Sequence, residues 1–275
     1  MLKNKLLVFI VTYNSSFRLK IILSKLRKIQ SHTSFDILVS DDCSNDDTIK
    51  YFPTINKRIF TNINKKNLGY GGNVKKCLKF AIKKKYSHAV MIHGDNQYDA
   101  RYIKDLYNKI KDSKVDAVTG SRMINPIDAL GGKMPIYKLI GNLTLTKIFN
   151  LLFSTNFTDA HTGLWLYNIA TIKKINIKNI DNKYNFDNQL RIKLIKQKKK
   201  IIEIPIKTYY RNEKSSFHIM YAIKFILDIS YSRTPSYCKL NQSQSLSPSI
   251  KREVSNRIRN NNSTTVGKGV NECRE

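Results

Sequence analysis

The sequence predicts an α/β fold, a mostly parallel central sheet flanked by helices, on three observations. Apolar runs of strand length recur along the chain, helix-patterned stretches separate them, and the runs are continuously apolar rather than alternating. A strand that is apolar on both faces is buried on both faces, the condition of a strand in a parallel sheet with helices above and below.

The chain opens on MLKNKLLVFIVTYN, whose basic start and short apolar run invite a signal-peptide reading. That run is only of strand length, lacks a small-residue cleavage pattern and ends in polar TYNSS, so KLLVFIVT (5–12) is read as the first buried strand. A helix follows in FRLKIILSKLRKI, then strands in FDILVS (35–40) and RIFTNI (58–63). GGNVKKCLKFAIKKK reads as a helix, SHAVMIH (87–93) as a fourth strand, ARYIKDLYNKIKD as a helix and VDAVTG as the start of a fifth strand. The second half is less regular. A long apolar helix, PIYKLIGNLTLTKIFNLLF (135–153), precedes the polar turn STNFTDAHTG, a strand in LWLYN and a helix in NFDNQLRIKLIKQ. KIIEIPIKTYY (200–210) reads as a strand leading away from the core, and IMYAIKFILDISY (219–231) as an amphipathic helix. After Tyr237 no aromatic residue remains, and this Ser-, Asn-, Gln- and Arg-rich tail has too little apolar area to offset its ordering entropy.

Composition sets outer limits. At 275 residues the chain can bury a substantial core. With 49 Lys+Arg against 20 Asp+Glu the net charge is +29, a surface that attracts nucleic acid, anionic membranes or phosphorylated substrates, although a lysine-rich composition accounts for it equally well. Cys43, Cys77, Cys238 and Cys273 lie far apart, without the close pairs of a zinc site, and read as free thiols in a reducing, cytoplasmic compartment. No segment reaches the roughly 18 apolar residues that a membrane-spanning helix needs.

The informative feature is where the polar residues fall. The first strand ends in Thr12, Tyr13 and Asn14, the second in Asp41 and Asp42, the fourth in His93, Gly94, Asp95, Asn96 and Gln97. In a doubly wound sheet such turns converge on one edge, where ligands bind. Asp95 suits Mg²⁺ or Mn²⁺, which take one or two carboxylates plus substrate phosphates, and Gln97 is placed to add an oxygen. The same residues also read as a turn whose aspartate caps the next helix. Asp41 and Asp42 read either as acceptors for a base or ribose or as helix caps in DDCSNDDT. NLGYGGN (67–73), with Gly69 and Gly71, opens a helix and reads either as a phosphate-facing loop or as a plain helix start.

Taken in order, VFIVTYN, ILVSDDCSNDDT, NLGYGGN, MIHGDNQYD, VTGSRM, FTDAHTGLWLYN, YNFDNQL and EIPIKTYY resemble the family 2 inverting glycosyltransferases, particularly the polyprenyl-phosphate group related to dolichyl-phosphate mannose synthase. The resemblance runs over roughly residues 5–230. It implies one nucleotide-diphospho-sugar transferase domain of GT-A type over 1–232, with a nucleotide-binding half to about 122 and an acceptor half beyond, followed by a disordered basic tail, 233–275. It further implies Thr12, Tyr13, Asn14, Asp41 and Asp42 near base and ribose, Asp95 and Gln97 at metal and diphosphate, and Arg122 on a phosphate. Two departures stand out: His93 holds the place of a usual carboxylate, and Trp165 that of a common arginine, so His161 or Lys133 is left to supply a donor for the acceptor. Gln189 likewise replaces a common acid. As a metal ligand, His93 would favour Mn²⁺ over Mg²⁺.

The expected chemistry is attack of an acceptor oxygen on the anomeric carbon of a UDP- or GDP-sugar, with inversion. A polyprenyl phosphate is already an anion and needs no base; a hydroxyl on a glycan precursor of the cell envelope needs one, with Asp159 or Asp187 as candidates. A lipid acceptor also fits a peripheral position on the inner face of a membrane. Rival readings are a nucleic-acid-binding α/β protein, a nucleotidyltransferase and a transferase homologue that has lost activity. The first is disfavoured because aromatics sit inside apolar runs instead of among the basic residues; the second, because TYNSS is not a glycine-rich loop.

Overall fold

A computed structural model describes residues 5–208 and 210. The expected helix at 219–231 and the tail from 233 lie outside the described residues. Seven strands form one sheet in the order β3-β2-β1-β4-β6-β5-β7. They are β1 (Leu6–Thr12), β2 (Asp36–Asp41), β3 (Ile59–Ile63), β4 (His88–His93), β5 (Ala117–Ser121), β6 (Trp165–Asn168) and β7 (Ile201–Pro205). Only β6 is reversed, running antiparallel to β4 and β5 on its two sides.

β1 shows why the sheet forms. All seven of its residues, LLVFIVT, are buried, and its side chains alternate between two cores. Leu6, Val8 and Ile10 meet Leu19, Ile22 and Leu26 of α1 (Ser16–Gln30) and Ile103, Leu106 and Ile110 of α3 (Tyr102–Ser113). Leu7, Phe9 and Val11 meet Val74, Cys77 and Leu78 of α2 (Tyr70–Lys83) and Phe186, Leu190 and Leu194 of α7 (Phe186–Lys196). The spacing of Leu19, Ile22, Leu23 and Leu26 puts one stripe of α1 on the sheet. Its N-terminus is capped from a distance: the amides of Ser15 and Ser16 donate to Thr48 Oγ1 at 2.8 and 2.9 Å, on the short turn Asp47–Tyr51.

After β5 the chain leaves the sheet through α4 (Pro126–Gly131) and α5 (Ile136–Phe153), then re-enters as β6 between β4 and β5. Because β6 is reversed, the exit at Arg122 and the return through Asp159–Gly163 lie at the same edge, that of the carboxyl ends of β1, β2 and β4. A short α6 (Ile169–Lys174) leads on to the loop before α7.

The strand read at 200–210 as leading outward is corrected. Residues 201–205 pair in parallel with β5, and Ile206 continues the ladder by donating to the Ser121 carbonyl at 2.9 Å. The chain then crosses back over the carboxyl edge, with a bridge between Thr208 and Tyr98 and a bond from the Tyr210 amide to the Gly132 carbonyl at 2.8 Å.

α2 starts at Gly69, whose φ of +78° favours glycine. At Gly71 an added Cβ would lie 2.5 Å from the Asp181 carbonyl oxygen and 2.7 Å from Phe186 Cβ. Close approach of α2 to the start of α7 therefore depends on a missing side chain. Gly71→Ala is expected to destabilise the fold by about 1–3 kcal/mol, the usual range for overpacking, seen as a fall in melting temperature of several degrees. An unchanged melting temperature would show that the 181–186 loop yields freely.

Candidate active site

The carboxyl edge is built from three strand ends in register. Thr12 of β1 lies opposite Asp41 of β2, and Val11 lies opposite His93 of β4. The ladders run one residue further: the Asp42 amide donates to the Thr12 carbonyl and the Gly94 amide to the Val11 carbonyl, both at 2.9 Å. The turns after β2 and β4 are thus two strand spacings apart, roughly 10 Å. An added Cβ at Gly94 would meet Thr12 Oγ1 at 2.8 Å, so β1 and the turn after β4 touch. Thr12 Oγ1 is itself buried with no hydrogen-bond partner among the described residues.

On the β2 side both aspartates are buried and committed. Asp41 accepts from the Ser44 amide at 2.8 Å and the Ser44 hydroxyl at 2.5 Å. Asp42 Oδ1 accepts from Asn64 Nδ2 and from the Leu68 amide, both at 2.8 Å, and so fixes the loop that enters α2. Asn14, in the left-handed region at φ +48°, donates its amide to Ser44 Oγ at 2.8 Å and accepts the Asn45 amide at 2.9 Å. Tyr13, between them, is exposed. The two aspartates thus brace the rim from behind, and Tyr13 is what the rim presents.

At the centre, Asp95 is only partly buried, and its Oδ1 accepts the Gln97 amide at 3.0 Å in a tight turn. Asn96, in the left-handed region, accepts from Lys25 Nζ at 3.2 Å. His93 Nε2 lies 3.1 Å from the Gly163 carbonyl and 3.3 Å from Tyr70 Oη. A carbonyl only accepts, so Nε2 carries the proton and the ring's lone pair is on Nδ1. Burial pulls the His93 pKa down, against the pull of Asp95, which keeps the ring neutral.

Beside His93 stands a group whose use was only weakly signalled in the sequence. Tyr70 stacks on His93 at 5.2 Å and on Tyr184 at 6.0 Å, and donates its hydroxyl to Asp187 Oδ2 at 2.7 Å. Asp187 Oδ1 is buried with no hydrogen-bond partner among the described residues. Burial pushes the Asp187 pKa up to about 7, opposed by the Tyr70 hydrogen bond and by Arg191. Tyr70, within NLGYGGN, passed unnoticed because that motif was read for its glycines.

The acceptor-half residues are more deeply built in than expected. Arg122 makes a two-pronged ion pair with fully buried Asp159, Nε to Oδ2 at 2.6 Å and Nη2 to Oδ1 at 2.9 Å. Its Nη1 donates to Tyr210 Oη at 2.9 Å and its Nη2 also to the His161 carbonyl at 3.2 Å, so little of the fork is left for a phosphate. Asp159 accepts further from Asn142 Nδ2 at 3.0 Å, and its own amide donates to Glu203 Oε1 of β7 at 2.9 Å. The burial penalty on Asp159 is outweighed by Arg122, which holds the carboxyl below its ordinary range and unsuited to serve as a base.

One expected acceptor contact is corrected. Trp165 is fully buried in β6, its indole N–H donating to the Thr162 carbonyl at 3.1 Å and its ring stacked on Tyr167. It faces the core because β6 is an inner strand of the sheet covered on both faces, Trp165 and Tyr167 packing on one side and Leu166 on the other. Burial draws the His161 pKa down to about 4, so its ring is neutral and what it can offer is an N–H donor and not a cation. Lys133 remains exposed at the link between α4 and α5. Gln189, in place of an acid, uses its Oε1 to accept the Asp181 amide at 2.8 Å and ties down the loop before α7.

Arg191 was missed. It is fully buried between the rings of Phe157 and Trp165, Cζ 4.6 Å from each centroid, and its three nitrogens have no hydrogen-bond partner among the described residues. Asp159, Glu203 and Asp187 all attract it. The guanidinium is the counter-charge of a buried acidic cluster and stacks on the tryptophan at 165. Cys43 and Cys77 are free thiols, and burial pushes Cys77 up to about 12.

Residues 7–175 match the profile of Glycosyl transferase family 2. The UDP-N-acetylglucosamine–dolichyl-phosphate N-acetylglucosaminyltransferase of Methanococcus voltae is 28% identical over 223 residues, covering 75% of this chain and 87% of its own. Glucosyl-3-phosphoglycerate synthase from Mycobacterium tuberculosis, solved with Mn²⁺, UDP and phosphoglyceric acid, aligns at TM-score 0.58 and 11% identity over 82% of this chain and 78% of that one. A mannosyltransferase from Pyrobaculum calidifontis, solved with GDP-Man and Mn²⁺, aligns at TM-score 0.54 and 16% identity, covering 78% and 59%. At these identities the structural likeness is one of fold.

Proposed function

The chain belongs to glycosyl transferase family 2, as a nucleotide-sugar glycosyltransferase on a GT-A fold, and from that premise we propose that it moves a sugar from a UDP- or GDP-sugar, with inversion, onto a polyprenyl phosphate. The observation that supports the chemistry is that two partly buried aspartates, Asp95 and Asp187, stand at one sheet edge beside His93 and Tyr70, one oxygen of Asp187 being buried without a hydrogen-bond partner among the described residues.

A divalent cation fits the residues present. Mg²⁺ and Mn²⁺ accept one or two carboxylates and complete their shell with phosphate oxygens and water. Asp95 offers such a carboxylate, and no group of three or more His, Cys, Asp or Glu able to hold a metal occurs among the described residues. That set suits an ion shared with a diphosphate better than one caged by protein. Asp95 would hold it, with Gln97 and the lone pair of His93 beside it. When bound, the ion would supply neutralising charge for the departing diphosphate.

The rest is done by the chain. Tyr13 and the main chain around Asn14 present the rim to base and ribose, while Thr12, Asp41 and Asp42 hold its shape; the loop of Gly69 and Gly71 stands on its far side. The acceptor phosphate attacks from the face opposite the diphosphate. A phosphate monoester loses its second proton near pH 6, so the acceptor arrives as an anion and needs no general base; Asp187 stands beside it through Tyr70. Arg122 and Asp159 fix the wall against which the acceptor sits. A lipid-linked acceptor and a nucleotide-sugar donor meet at a cytoplasmic membrane surface, and this reading places the chain there as a peripheral protein.

The test is nucleotide release by the full chain from UDP- and GDP-sugars, with Mn²⁺ or Mg²⁺, with and without polyprenyl phosphate. Release that needs both the ion and the lipid phosphate is the expected outcome. Asp95→Ala is expected to keep the melting temperature of the free protein within about 1–2 °C, since a partly exposed carboxylate contributes about 0.5 kcal/mol or less to stability. It is also expected to lose the upward shift that UDP plus Mn²⁺ gives the native chain. A shift that persists in the variant removes the metal role assigned to Asp95.

A further inference from the structure

The second excursion from the sheet has an unusual surface. In an ordinary surface helix the polar side chains face water and the apolar stripe faces the core. α5 does the opposite over much of its length. Its inner face uses Asn142, which donates to Asp159, Thr146, which accepts the Ala160 amide, and Asn150, which donates to the Phe157 carbonyl at 2.7 Å, with Leu145 and Phe149 between them. Its outer face exposes Ile136, Tyr137, Ile140, Leu143 and Leu151, which recur at helical spacing along about 22 Å of axis. Ile127 and Leu130 of the adjoining α4 are exposed as well, with Ile127 at 79% and Leu151 at 81%. A monomer rarely leaves so many large apolar side chains together in water.

Charge identifies the occupant. From 123 to 153 the sequence carries three lysines, Lys133, Lys138 and Lys147, and one acid, Asp128. Exposed apolar residues interleaved with lysine are the composition of a helix that lies in the interface of an anionic bilayer. No helix among the described residues is long and apolar enough to cross one. The position fits too: through Asn142, α5 leans directly on Asp159 at the carboxyl edge of the sheet, so its outer face is about one helix diameter, roughly 10 Å, from the candidate site.

We propose that the outer face of α4 and α5 is a membrane-docking surface that seats the chain on anionic phospholipid and brings the acceptor's phosphate headgroup to the site. This deepens the lipid-acceptor reading above and rests on it. The docking residues are distinct from those assigned to catalysis, so the two are separable by mutation.

The experiment uses the full chain and vesicles of phosphatidylcholine with or without phosphatidylglycerol. Native protein is expected to co-sediment with the anionic vesicles and to be released by high salt. Ile136→Ser/Ile140→Ser is expected to bind at least tenfold more weakly, with turnover on a short, water-soluble prenyl phosphate unchanged. In Tyr137→Trp, tryptophan emission typical of water in buffer is expected to shift to the blue on adding anionic vesicles, against a constant background from buried Trp165. Undiminished binding by the serine variant would overturn the surface while leaving the lipid-acceptor reading in place. Turnover on the short acceptor without any preference for anionic vesicles would overturn the docking and keep the enzyme. Emission already blue in buffer and unmoved by vesicles would mean that the face is covered by another part of the chain or a second copy, and would also overturn it.

Discussion

Asp187→Asn is expected to make the fold more stable at pH 8 and, because a phosphate acceptor needs no base, to leave turnover on a polyprenyl phosphate within about tenfold of native. The gain in stability comes from burial. The carboxyl has Tyr70 on one oxygen and, among the described residues, no hydrogen-bond partner on the other, so removal from water disfavours its charged form and the pKa rises to about 7. An aspartate in the unfolded chain titrates near 3.9. Between about pH 4 and 7 the folded protein therefore holds a proton that the unfolded chain has lost. The stability this group contributes is complete below pH 4 and is gone once pH has risen through 7. At about 1.4 kcal/mol per tenfold change in proton affinity, the buried charge at pH 8 costs a few kcal/mol.

Asparagine carries no charge, fills the same space and still accepts the Tyr70 hydroxyl. It gives up the attraction between a carboxylate and the N-terminus of α7, about 0.3–1 kcal/mol, which is the smaller term. The melting temperature of Asp187→Asn at pH 8 is expected to exceed that of the native chain by several degrees, and the difference to shrink towards pH 4. Turnover of native chain and variant alike should follow the limb of the phosphate acceptor near 6. A variant that melts earlier at pH 8 would make Asp187 an ordinary helix-start residue.

What the sequence discloses here follows the range of the forces involved. The ends of β1, β2 and β4 are legible because a continuous apolar run that stops at Thr12, Asp41 or His93 is a local signal of a buried strand meeting its rim. The direction of β6 is not legible. LWLYN pairs with strands 48 and 76 residues away, and nothing within it states whether those pairings are parallel. That one reversal decides the acceptor half: it returns the chain so that Asp159 meets Arg122. Arg191 lay within reach of pattern alone. It follows Leu190 on the buried stripe of α7, and a cation on a stripe that also carries Phe186 and Leu194 has to find its counter-charge inside. Among so many lysines, composition alone does not single it out.

The same reversal makes Asp159→Asn the variant with the largest expected loss of stability. Arg122 and Asp159 are 37 residues apart in sequence and both are withdrawn from water, so their pairing holds the start of the α4–α5 excursion to its end. Removing one partner of such a pair typically costs 3–5 kcal/mol, because the other is left as an uncompensated buried charge. For a domain of this size that corresponds to a fall of roughly 6–20 °C in melting temperature. Asparagine can keep one oxygen on the guanidinium but loses the second, and its amide would point an N–H at a donor. The linkage runs opposite to that of Asp187: a carboxyl held below its ordinary range contributes stability above about pH 4 and loses it only as acid protonates it. The deficit of Asp159→Asn against native protein should therefore be constant from pH 6 to 8 and narrow only in acid. The double variant Arg122→Met/Asp159→Leu, which removes both charges, should recover much of the loss. If it recovers none, the pair matters for the hydrogen bonds it makes with His161, Asn142 and Tyr210, and the electrostatic account of this wall is wrong.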